Sequence, residues 1–188
     1  NFIVVTGHAN VGKTHTMLYL MLLHTKNNGT KWLVYSSEND VRSLQRKLIE
    51  FVAAKPISTL SQDEFKKHFD YIQSRFAFID GEALYDMFEL ISVMEQVREE
   101  YDYDGVMIDP YNSLVINRKL LGNVSTHDYH YEATSHLRVF CKKNDSIAIL
   151  NTHPATLALR KLHSGSHEYS GHPMPPMASD VEGGGKFV

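Results

Sequence analysis

Near the start of the chain, Gly7-His8-Ala9-Asn10-Val11-Gly12-Lys13-Thr14 spells G-x-x-x-x-G-K-T, directly after the apolar run Phe2-Ile3-Val4-Val5. This is the Walker A phosphate-loop pattern in its proper context: a strand before it and a helix, expected over Thr14 to Lys26, after it. Its glycines let the backbone curl until several N–H groups point inward at phosphate oxygens. The adjoining helix N-terminus favours negative charge there. In that geometry Lys13 would reach the β and γ phosphates of ATP, and Thr14 would place its hydroxyl on Mg2+. With His15, the residues from Gly7 to Thr14 form the expected nucleotide-binding run.

Three more polar residues follow apolar runs. Asp109 ends Gly105-Val106-Met107-Ile108-Asp109, where a Walker B acid would bind Mg2+ opposite Thr14. Glu38 follows Trp32-Leu33-Val34-Tyr35-Ser36, where a carboxylate can orient, or take a proton from, the water that attacks a γ-phosphate. Glu38 could instead cap a helix, since Ser36, Ser37 and Asp40 also favour a helix start. His153 follows Ile147-Ala148-Ile149-Leu150-Asn151-Thr152, where a polar side chain can touch the γ-phosphate and report its presence. It could also be one ordinary loop histidine among the 11 in the chain.

These residues need a scaffold, and the periodicity supplies one. Beyond the strands just named, helices are expected over Val41 to Ala53, Asp63 to Ser74, Ala83 to Glu100 and His127 to Lys142, with a short strand at Phe76 to Ile79. The stripe of Leu84, Met87, Phe88, Ile91 and Met94 marks the third of these helices. Residues 112–126 read as a polar loop, 54–75 as a helical insertion, and 154–182 as a mobile loop rich in proline, glycine and histidine. Strands alternating with helices imply an α/β fold: a mostly parallel, twisted sheet with helices on both faces. Ligands bind such sheets at the carboxyl ends of the strands, which is where the loop, Glu38, Asp109 and His153 fall.

Composition agrees with a globular chain. Hydrophobic residues make up 43 % and charged residues 22 % of 188 residues, and the net charge is −3. That length suits one domain, residues 1–188. The mild acidity neither demands nor excludes a nucleic-acid partner, since only a local basic stripe is needed. Arg160 and Lys161 in the late loop could contact backbone phosphates. The single cysteine, Cys141, permits no internal disulfide. No apolar stretch approaches a membrane span, so no membrane partner is expected and the compartment is read as cytoplasmic. His127, His130, His136, His163, His167 and His172 lack cysteine or acidic company and are read as non-ligands. Tyr101, Tyr103, Tyr129 and Tyr131 are read as packing residues. The abrupt ends suggest a piece of a longer protein.

The ordered set carries a resemblance. A Walker A loop is followed by "VYSSEN", "VMIDPYNSL", "HLRVF", "ILNTHPA" and "MPPMASDVEGGGKF". This is similar to the DnaB-like replicative helicases with a RecA-like core, and to the phage primase-helicase branch that includes the mitochondrial helicase Twinkle. The resemblance implies a RecA-like P-loop NTPase that couples ATP hydrolysis to translocation on single-stranded DNA during replication. It implies Lys13 and Thr14 on phosphate and Mg2+, Glu38 as catalytic base, Asp109 as metal-binding acid and His153 as γ-phosphate sensor. It also implies a DNA-binding loop over Thr156 to His172. Family members form homo-hexamers with ATP between subunits and an arginine finger from the neighbour; the resemblance places that finger and the family's base-stacking residues beyond Val188. The implied source is bacterial or phage-encoded.

Two readings share the core without unwinding: a RecA-type recombinase or a KaiC-like regulatory ATPase. Strand exchange, filaments or autophosphorylation would mark them. A small-molecule kinase would need a basic lid, and no arginine cluster of that kind is present. An inactive nucleotide-binding scaffold is opposed by the retention of Lys13, Glu38 and Asp109.

Overall fold

The computed structural model describes residues 2–117, 119, 125–155 and 161–181. Arg160, Thr156 and the run from Gly183 to Val188, all drawn on above, lie outside them. In chain order the elements are β1 (Phe2–Thr6), α1 (Lys13–Asn28), β2 (Trp32–Ser36), α2 (Val41–Ala53), α3 (Gln62–Arg75), β3 (Phe76–Ile79), α4 (Met87–Glu100), β4 (Gly105–Asp109), α5 (Thr126–Lys143) and β5 (Ile147–Thr152). Short 3-10 turns occupy Ile57–Thr59, Tyr111–Ser113 and Ala178–Asp180.

The five strands form one sheet in the order β1-β5-β4-β2-β3, and every pairing is parallel. The central strands read as unbroken apolar runs because both their faces are covered; β2 and β4 are buried at every position. Trp32 and Val34 of β2 pack against Leu18 and Leu22 of α1, Leu48 of α2 and Ile72 of α3. The alternate residues Leu33 and Tyr35 face the other layer, against Leu90 and Met94 of α4 and Leu137 of α5. The register aligns Thr6 with Thr152 and Ser36 with Asp109, so the carboxyl ends of these four strands form one ledge.

Local signals set the helix limits. Asp40 caps α2 by accepting from the Ser43 N–H at 3.0 Å. Ser61 and Glu64 form a reciprocal capping box at α3, and Asp86 and Glu89 form another at α4. That second box corrects the sequence reading. The helix begins at Met87, not Ala83, and Leu84 precedes the cap and is 74 % exposed. The expected apolar stripe thus counted a residue that never joins the helix; Met87, Leu90 and Met94 form the buried face. The 112–126 loop begins within a 3-10 turn, and Tyr131, expected to pack, is 50 % exposed. Burial pushes the Cys141 thiol up to about 11, so it stays protonated at neutral pH.

The α3 cap carries a pH signature. The Lys55 ammonium at 2.8 Å, with the Ser61 backbone and hydroxyl, lowers the Glu64 carboxyl from 4.5 to about 2. A group depressed in the folded state contributes stability fully above its unfolded value and loses it on acidification toward its folded value. The contribution should therefore disappear between about pH 4.5 and about pH 2. Urea unfolding of the Glu64→Gln variant across that window should show a shallower acid loss than the parent. Equal slopes would refute the coupling.

Candidate nucleotide site

The loop between β1 and α1 is built to leave backbone donors open. Asn10 and Gly12 take positive φ, 61° and 86°. Gly12 is the N-cap of α1 and supplies no side-chain acceptor, so no side-chain cap covers the N–H groups of the first turn. Only glycine adopts the Gly12 conformation without strain.

A cleft of about 460 Å³ opens over this loop, lined by Ala9, Asn10, Gly12, Lys13, Thr14, His15, Glu38, Asn39, Asp109 and His153. That volume lies in the range of small-molecule sites. The Lys13 ammonium donates to the Gly7 and His8 carbonyls at 2.9 Å each and contacts His153 Nδ1 at 3.2 Å. Burial lowers its pKa, while the nearby Asp109 and Glu38 carboxylates act in the opposite direction. Because Lys13 can only donate, His153 Nδ1 must accept. The imidazole hydrogen then sits on Nε2, which donates to Glu38 Oε1 at 3.0 Å. Lys13, His153 and Glu38 are thus wired in series.

Asp109 is 2 % exposed, yet it is not sealed in apolar packing. Its Oδ2 accepts from Thr14 Oγ1 at 2.7 Å, and its Oδ1 accepts from Asn151 Nδ2 at 2.9 Å. A hydroxyl and a carboxylate side by side beneath an anion-receptive loop form the hard oxygen set that Mg2+ prefers. Mg2+ therefore fits Thr14 and Asp109, and a nucleotide triphosphate fits the loop above them. Among the described residues, no group of three or more histidine, cysteine or acidic side chains is arranged to hold a metal by itself.

Glu38 is half-exposed and does not cap α2, a task Asp40 performs. Its position depends on the turn beneath it, where the Ser37 N–H donates to the Asp109 carbonyl at 3.1 Å. Gly81 lies against this turn. A Cβ added there would come within 2.1 Å of the Ser36 carbonyl oxygen and 3.3 Å of Ser37 Cα. Gly81→Ala must therefore shift the segment carrying Glu38. If Glu38 acts at the reacting phosphate, a displacement near 1 Å would lower turnover by about 10²-fold. Steady-state ATP hydrolysis checks this, and unchanged turnover would break the link between Gly81 and Glu38.

Two residues matter that the sequence reading gave no role. Asn112 Oδ1 accepts from Thr152 Oγ1 and from the His153 N–H, both at 2.7 Å, and so fixes the backbone of His153. Asn151, 0 % exposed, holds Asp109. For Asn151 the available signal was a polar side chain inside an apolar strand, since a buried amide needs a specific partner.

The loop after β5 returns toward the phosphate loop. Pro154 bridges Val181, and the Ala155 N–H donates to the Asp180 carbonyl at 2.7 Å. Lys161, expected on DNA phosphates, is ion-paired with Asp180 and remains half-exposed. The His8 ring contacts the Met174 carbonyl at 3.2 Å. Arg138 stacks over the Phe2 ring at 4.9 Å, away from the cleft residues.

The fold is α/β and RecA-like, shared with helicase ATPase domains. An ATPase domain of known structure superposes with a TM-score of 0.71 at 17 % identity, over 100 % of this chain and 65 % of that one. A DnaB-like replicative helicase, described with its interactions with primase, gives 0.71 at 17 % identity over 99 % of this chain. The present chain spans only 44 % of that helicase. No protein-family model matches the chain, and no curated protein matches it in sequence. No helix among the described residues is long and apolar enough to cross a membrane.

Proposed function

We propose that this chain is the ATP-hydrolysing motor domain of a DnaB-like DNA helicase, coupling hydrolysis to translocation on single-stranded DNA during replication. The observation that carries the reading is the convergence of Lys13, Thr14, Glu38, Asp109 and His153 on one cleft at the carboxyl edge of a parallel sheet. The phosphate-loop amides and Lys13 bind and orient the triphosphate. Thr14 and Asp109 hold Mg2+, which neutralises developing charge on the phosphate oxygens when bound. Glu38 orients the attacking water and receives its proton, while His153 holds Glu38 and contacts the terminal phosphate.

In the longer protein this reading implies a homo-hexamer, with a neighbouring subunit's arginine completing each site, working in a bacterial or phage-infected cytoplasm. The helicase fold match and the loop tied to His8 and Ala155 support the DNA assignment. The test is ATP hydrolysis with and without single-stranded DNA, together with strand separation on a forked duplex. Stimulation by single strands and unwinding lost in Lys13→Ala are expected. Unwinding that survives Lys13→Ala, or turnover indifferent to DNA, would overturn the proposal.

A further inference from the structure

Two cavities adjoin the nucleotide cleft. One, of about 780 Å³, opens beyond Glu38 and is lined by the acids Glu38, Asp40, Asp80 and Glu82. The other, of about 290 Å³, is a groove between α1 and α2. Thr14, His15 and Asn39 line both the groove and the cleft, so the two form one continuous space.

The groove differs chemically from the cleft. Leu18 and Leu44 floor it, and Ser43, Arg46 and Lys47 stand on its α2 side. His15, in the first turn of α1, is exposed on the other side. Arg46 is anchored there. Its Nε donates to Glu50 Oε1 at 3.2 Å, and the Ile57 N–H donates to the same oxygen at 3.3 Å. The Arg46 side chain is nevertheless 62 % exposed, so Glu50 fixes the guanidinium without burying it.

Direction decides how a nucleotide lies across these spaces. Lys13, His153 and Glu38 mark the end of the cleft that receives the terminal phosphate in the function proposed above. The nucleoside at the opposite end must leave by another wall. The acidic cavity lies on Glu38 itself, at the terminal end, and its carboxylates repel a polyanion. The groove lies past Thr14 and His15, directly after the phosphate-binding run, and carries two cations. A flat, partly apolar base gains there from an apolar floor, an imidazole and a guanidinium face.

We infer that the groove between α1 and α2 seats the nucleoside of the bound triphosphate, its base between the His15 imidazole and the Arg46 guanidinium. Ser43 and Lys47 supply donors for the ribose hydroxyls. This rests on the proposed function and deepens it, because it names the residues that tell a nucleotide from a bare polyphosphate. The resemblance places the family's base-stacking residues beyond Val188; this contact lies within α1 and α2 and is additional to them.

The test measures, by calorimetry on the full chain, the binding of two ligands with Mg2+. One is the β,γ-imido analogue of ATP, and the other is inorganic tripolyphosphate, which has no nucleoside. Arg46→Ala should lower affinity for the analogue by about threefold to thirtyfold, the scale of one cation–π contact, and leave tripolyphosphate within about twofold. His15→Ala should show the same selective loss. Arg46→Lys keeps the charge but not the planar face, and should recover only a minor part of the loss. Unchanged affinity for the analogue in Arg46→Ala would send the nucleoside elsewhere and overturn the inference. An equal fall for both ligands, or full rescue by Arg46→Lys, would overturn it too, by making Arg46 a charge for phosphate alone. These three results leave the ATPase reading standing, whereas a parent that binds neither ligand would sink both.

Discussion

Lys13→Ala is expected to lower ATP turnover by about 10²–10³-fold, the scale seen when one preorganised donor to a developing charge is removed. The ammonium lies close to the Asp109 and Glu38 carboxylates, which act to raise a pKa that burial lowers. Without it, both acids would face a polyanion with no fixed cation in the loop. Mg2+ would compensate in part, so binding should weaken less than turnover. The side chain belongs to neither apolar core cluster, so thermal unfolding should hardly move. Release of inorganic phosphate, measured beside a nucleotide titration and a melting curve, checks the three statements together. Turnover within threefold of the parent would remove Lys13 from the reaction.

Glu38→Gln should be at least as damaging to turnover, about 10²–10⁴-fold for a lost general base, but should leave nucleotide binding within a few-fold of the parent. The amide keeps the shape and can still accept from His153 Nε2, now 3.0 Å from the carboxylate oxygen. What it loses is the capacity to take a proton. The competing assignment, a helix cap, makes the opposite forecast: lower stability with normal turnover. Asp40 already occupies the cap, with the Ser43 N–H at 3.0 Å, so no destabilisation is expected. Single-turnover hydrolysis and a melting curve separate the two outcomes.

The sheet, its helices and the cleft could be read from the sequence because each rests on local pattern. The strands are apolar on both faces, the loop has a fixed spacing, and the acids stand at strand ends. What could not be read depends on who meets whom across the fold. The start of α4 was misplaced because Leu84 kept the helical period although Asp86 and Glu89 mark the cap. Asn112 and Asn151 had no role because their meaning lies in His153 and Asp109, which sit 41 and 42 residues away. Likewise, nothing local said that Lys161 would spend its charge on Asp180, or that histidines of the late loop would pair ring on ring.

The Lys13 ammonium has a consequence of its own. It has three hydrogens to give, and Gly7, His8 and His153 are already three recipients. A newcomer with an oxygen to offer can be accommodated only by substitution. The two carbonyls belong to the main chain of the loop and move only with it, whereas an imidazole can swing about its side-chain bonds. His153 is therefore the partner most easily released. Its departure would loosen Glu38 on one side and tug the chain toward Asp180 and the late loop on the other. On the proposed function, a single saturated amine converts occupancy into displacement, much as a full hand must drop one thing to grasp another.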